Sequence, residues 1–146
     1  MDTEAIEFAI EKYVHERKDL GRQRASEHFI AFVYLKHGGT EIAEFLKKVI
    51  GLSRYYIEFL KVIQNPFKGP EMALLASMIA VGIYSCYLAA EEPTRVLGIM
   101  VICGTILHIC MLISAMARKW SDTGVMIAIY REIVEIAEHE VAEVAA

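Results

Sequence analysis

Two apolar stretches, Met72–Ala90 and Val96–Ala117, follow one another with only Glu91-Glu92-Pro93-Thr94-Arg95 between them, and neither contains a charged residue. At roughly 1.5 Å of rise per residue, each is about long enough to cross a hydrocarbon core of about 30 Å. A helix packed in a soluble core usually keeps one polar stripe, and these stretches have none. The pair therefore points to an all-α chain built on a two-span transmembrane helical hairpin. The hairpin (residues 71–118) is flanked by an N-terminal helical module (residues 1–66) and a C-terminal amphipathic helix (residues 121–146).

The remaining composition excludes more than it identifies. The net charge of −4 is modest, so no strong electrostatic pull toward nucleic acid is expected. The N-terminus, Met1-Asp2-Thr3-Glu4, has no basic region followed by an apolar core, so insertion should depend on the internal hairpin. Cys86, Cys103 and Cys110 all fall within the apolar stretches. They form no CxxC, and they read as buried free thiols acting as small apolar groups.

Four helices are expected before the hairpin. Residues 3–20 carry Ile6, Ile10, Tyr13, Val14 and Leu20 near one face, Gly21 interrupts, and residues 22–37 form a second helix. After Gly38-Gly39, Thr40 is a plausible N-cap for a helix to about Ile50. Gly51-Leu52-Ser53 reads as a turn, with Ser53 capping a fourth helix to about Gln64. The run Asn65-Pro66-Phe67-Lys68-Gly69-Pro70 is a strong breaker and the natural border of the hairpin. Ser121 or Asp122 should cap a separate last helix, in which Met126, Ile129, Ile133, Ile136 and Val144 repeat near a 3.5-residue period.

Lys61, Lys68, Arg118 and Lys119 flank the outer ends of the hairpin, and its turn holds only Arg95. The positive-inside rule then places both termini in the cytoplasm of a plasma or cytoplasmic membrane. Trp120, Tyr84 and Tyr87 suit interface anchoring. On a wheel of 100° per residue, Ala73, Ala76, Ala80, Tyr84 and Tyr87 share one face of the first span. Met100, Gly104, His108, Met111 and Ala115 share one face of the second. Small residues allow close helix approach in lipid, so Ala73, Ala76, Ala80, Gly104 and Ala115 are the expected packing positions, within the hairpin or against a neighbouring subunit.

His108 falls near the middle of its span, where an ionisable side chain is a functional candidate. One hydrogen bond to Ser77 or to a carbonyl would satisfy most of its need. Glu91 and Glu92 could ring a pore mouth in an oligomer. The Glu92-Pro93 pair between two spans resembles the pore of the mitochondrial calcium uniporter family. That motif has Trp and Asp four and three residues before the Glu, where this chain has Leu88 and Ala89, so the resemblance covers two residues.

Residues 40–63 also show the apolar pattern of a helix-turn-helix, which would expose Arg54, Tyr55 and Lys61 to DNA. Lys47 stands where that motif wants a small residue, and the module lacks a basic surface. Cys103 and Cys110 point away from His108, so a copper(I) site with Met100 and Met111 is disfavoured. Glu135, Glu138 and His139, or Glu11 and His15, make no Glu-x-x-His pair and read as a solvated acidic face. No phosphate loop and no nucleophile with a matched base is present. The expectation is a non-enzymatic membrane protein without catalytic residues, metal or cofactor. It would act in a lipid bilayer as a homo-oligomeric pore or scaffold. The alternatives are a membrane-tethered DNA-binding regulator and an accessory subunit of a larger membrane complex.

Overall fold

A computed structural model describes residues 3–38, 40–65 and 69–145. It is 96% helical, and no strand occurs among the described residues. The helices are α1 (Thr3–Leu20), α2 (Arg22–Lys36), α3 (Thr40–Gln64), α4 (Pro70–Ala90) and α5 (Arg95–Ala145), with a single 3-10 turn at Glu92–Thr94 before α5. The expected all-α class and the helical hairpin are both present. Part of the expected breaker, Pro66-Phe67-Lys68, lies outside the described residues, as do Gly39 and the side chain of Thr40.

The chain divides into two compact units. One comprises residues 1–61 and 124–146, the other residues 62–123. The first is a helical bundle whose core joins Ile6, Ile10 and Tyr13 of α1, Phe29 and Val33 of α2, Phe45, Leu46 and Val49 of α3, and Ile129, Ile133 and Ala137 of α5. The apolar positions recur at helical spacing, which is why each helix presents one stripe to this core. Gly21 alone separates α1 from α2, with φ 87° and ψ 172°. That conformation is essentially restricted to glycine. The Gly21 carbonyl then accepts from Ala25 N at 3.2 Å and opens α2.

Two expected boundaries are corrected. The turn at Gly51-Leu52-Ser53 is absent, and residues 40–64 form one continuous helix. Ile42, Phe45, Leu46, Val49, Ser53 and Ile57 are all buried, so a single stripe runs past Gly51. Its burial outweighs the roughly 1 kcal/mol that a helical glycine costs. Ser53 is therefore a core residue and not a cap, and its buried hydroxyl has no hydrogen-bond partner among the described residues. Likewise no break occurs at Ser121 or Asp122, because α5 continues to Ala145. The sequence holds no proline after Pro93, and Thr123 bonds back to the Lys119 carbonyl at 2.8 Å within the helix.

The unit of residues 62–123 is the apolar hairpin. Both of its helices are long and apolar enough to cross a membrane. Its seam follows alternating steps of four and three residues, the spacing of an antiparallel coiled coil. On α4 the seam holds Glu71, Leu75, Met78, Gly82, Ser85 and Ala89; on α5 it holds Gly98, Ile102, Thr105, Ile109, Leu112, Met116 and Lys119. Each of these except Lys119 is more buried than the exposed residues that dominate both helices. A Cβ added at Gly82 would meet Thr105 Cγ2 at 3.7 Å, and one at Gly98 would overlap the Ala89 backbone. Both pairs are equidistant from the Pro93–Thr94 bond, which sets the register.

Candidate functional site

The hairpin is closed at both ends by polar contacts. At the turn, the Thr94 hydroxyl donates to the Leu88 carbonyl at 2.8 Å, satisfying a group that the end of α4 would leave open. At the other end Lys119 Nζ donates to Glu71 Oε1 at 2.6 Å. Between them the seam is mostly apolar, with Ser85 and Thr105 as its polar members. Ser85, 1% exposed, is satisfied within its own helix by the Val81 carbonyl at 2.7 Å.

The polar groups midway along the hairpin lie on and beside the seam. Ser77, Met78, Val81, Val101, Gly104, Thr105 and His108 line a groove of about 290 Å³. His108 Nδ1–H donates to the Gly104 carbonyl at 2.9 Å. This is the expected carbonyl bond, whereas Ser77 donates instead to the Leu74 carbonyl at 2.7 Å. In the neutral ring this bond places the proton on Nδ1 and leaves Nε2 as an acceptor. Nε2 has no partner among the described residues.

The expected packing face does not form the hairpin seam. Ala73, Ala76, Ala80 and Ala115 are exposed, and only Gly104 is half-buried. A Cβ added at Gly104 would meet nothing within 4 Å, so contacts within the hairpin leave room there for an alanine. Glu91 and Glu92 are exposed at the turn. Cys86, Cys103 and Cys110 are free and exposed rather than buried in the hairpin.

The three expected DNA contacts all lie on the unbroken α3, so the two-helix motif that would present them is missing. Arg54 Nη2 donates to Glu138 Oε1 at 2.6 Å, and Lys61 pairs with Glu58. Tyr55 stacks on Phe59, with ring centroids 6.5 Å apart.

The acidic C-terminal part of α5 keeps Glu135, Glu138 and Glu143 exposed, as expected of a solvated face, and several of its carboxylates also pair with side chains of other helices. Arg17 grips Glu132 with two hydrogen bonds, at 2.7 and 3.1 Å. Arg22 binds Glu135 at 2.9 Å, and the Tyr34 hydroxyl donates to Glu140 at 3.1 Å. The Arg17 hydrogen bonds hold the Glu132 carboxyl below its ordinary range. Burial first, and then the Glu132 charge, push the Tyr13 phenol up to about 12. These partners occupy Glu135 and Glu138, two of the possible metal ligands. His139, Glu140 and Glu143 have ligand atoms within 4.8 Å of one another, but exposed acidic groups gather this way without a metal.

No protein-family model, curated protein or solved structure matches the chain. The functional reading therefore rests on the residues themselves.

Proposed function

We propose that the chain is an integral membrane protein whose α4–α5 hairpin lies in the bilayer and self-associates there, forming a scaffold or a small pore. The observation that carries this reading is the groove holding Ser77, Gly104, Thr105 and His108 on an otherwise apolar, exposed hairpin. In hydrocarbon an unpaired polar atom such as His108 Nε2 is costly. A second hairpin seated on the groove would supply a donor and remove it from lipid. Gly104, together with Ala73, Ala76, Ala80 and Ala115 exposed along the same hairpin, gives room for that close approach.

Charge supports an orientation with both termini in the cytoplasm, because Lys61, Arg118 and Lys119 flank the hairpin in sequence on the side away from its turn. Tyr84 and Tyr87 toward the turn, and Trp120 at the opposite end, suit the two interfaces. If the assembly conducts, the path runs between hairpins, with His108 in mid-span and Glu91 and Glu92 at the mouth.

Reconstitution into liposomes tests both forms. Cross-linking should trap a discrete homo-oligomer that His108→Ala weakens. A pore also requires cation flux that falls with Glu92→Gln and His108→Ala. Oligomers without flux leave the scaffold. A hairpin that stays monomeric in the bilayer overturns the proposal.

A further inference from the structure

The bundle of residues 1–61 and 124–146 contains a cavity of about 420 Å³ lined by Glu7, Ile10, Glu11, Val14, Tyr56, Met126 and Tyr130. Its volume lies in the range of small-molecule sites. Most acidic side chains of this bundle have a basic or hydrogen-bonding partner: Glu16 with Lys12, Glu132 with Arg17, Glu135 with Arg22 and Glu138 with Arg54. Glu7 and Glu11 have none among the described residues. One helical turn apart, they share a face of α1, where like charges repel by a few tenths of a kcal/mol. The same cavity is lined by two phenol rings, Tyr56 and Tyr130, stacked with centroids 5.4 Å apart.

From this juxtaposition we infer that the cavity is a binding site for a small organic cation of the alkylammonium or quaternary ammonium class. Each part of the lining has a use for such a ligand. The carboxylates of Glu7 and Glu11 supply the countercharge, and their mutual repulsion is relieved on binding. An outer face of the stacked Tyr56 and Tyr130 pair attracts a cation through the ring quadrupole. Ile10, Val14 and Met126 receive the methyl or methylene groups. Burial holds both phenols above their ordinary pKa, so the rings stay neutral through the physiological range. A bare divalent ion would use the carboxylates but gain little from the apolar wall.

The site is tested by calorimetric titration of the full-length protein in nonionic detergent. The probes are choline, its uncharged isostere 3,3-dimethylbutan-1-ol, and calcium chloride. Choline should bind saturably, about fivefold or more tighter than the isostere. Glu7→Gln and Glu11→Gln, both at exposed carboxylates, should each weaken choline binding about two- to fivefold while leaving the helical circular dichroism unchanged. Tyr56→Leu should weaken it by a similar factor; if that variant does not fold, the two glutamine variants decide. Equal binding of choline and the isostere would mean a merely apolar cavity and overturn the inference. Absence of choline binding, binding of calcium alone, or indifference to both glutamine substitutions would each overturn it as well.

Discussion

Gly98→Ala offers the sharpest test of the hairpin seam. A Cβ at Gly98 would lie 2.4 Å from Ala89 N, 2.7 Å from Ala89 Cα and 2.9 Å from Ala89 Cβ. Two of these atoms are backbone, so no rotamer change relieves the overlap, and the helices must separate near the turn. Overpacking of this kind costs about 1–3 kcal/mol, or roughly a 5- to 150-fold loss in the closed-to-open ratio of the hairpin. Gly104→Ala is the matched control, because its Cβ meets nothing within 4 Å. Opening can be followed in mixed micelles titrated with SDS. The reporters are a dye pair on Leu74→Cys and Ile113→Cys, both exposed positions, in a background without Cys86, Cys103 and Cys110. Under dilute conditions energy transfer should be lost at lower SDS for Gly98→Ala and at an unchanged concentration for Gly104→Ala. Equal midpoints for Gly98→Ala and the parent, or a larger loss for Gly104→Ala, would refute the register.

Gly21→Ala should destabilise the bundle of residues 1–61 and 124–146 by about 1–3 kcal/mol, since alanine must adopt a backbone conformation nearly confined to glycine. Thermal unfolding followed by circular dichroism checks this, and an unchanged midpoint would contradict the strained link. The Tyr13–Glu132–Arg17 contact should set two pH edges. The Glu132 pKa is lowered by folding, so its stabilisation is present above the ordinary value of 4.5 and is lost as pH falls through the folded value. The Tyr13 pKa is raised, so its stabilisation is full below 10.0 and disappears as pH rises toward about 12. Glu132→Gln should therefore flatten the acid limb of a stability–pH profile and Tyr13→Phe the alkaline limb, and profiles parallel to the parent would count against the contact. Gly104→Leu should leave the isolated hairpin folded yet reduce cross-linked oligomer several-fold, since a bulky residue blocks close helix approach; an undiminished oligomer would move the interface off the groove.

The hairpin was legible in the sequence because two charge-free apolar runs of span length, joined by a short polar turn, have only one compact arrangement: antiparallel helices. Its internal face was not legible. A wheel of 100° per residue selects Ala73, Ala76 and Ala80, whereas two helices wound around each other keep contact on a 3.5-residue repeat. The small residues Gly82, Ser85, Ala89 and Gly98 fit that repeat and were the available signal. The turn read into Gly51-Leu52-Ser53 failed because turn residues are only local preferences, and the buried stripe from Ile42 to Ile57 overrode them. The carbonyl bond of His108 was foreseeable, since a carbonyl four residues earlier is within reach in any helix. The partners of Glu132, Glu135 and Glu138 were not. They come from positions more than eighty residues away along the chain, and no local spacing encodes them.

The mass of the particle extracted in mild detergent tests the central claim most directly. Light scattering coupled to size-exclusion chromatography, with the detergent contribution separated, gives the protein mass alone. Self-association through the hairpin groove predicts one discrete species at an integral multiple of 16.5 kDa, shifted toward the single-chain mass by Gly104→Leu. A parent protein that runs at 16.5 kDa throughout, or only as a mixed complex with other subunits, would contradict it.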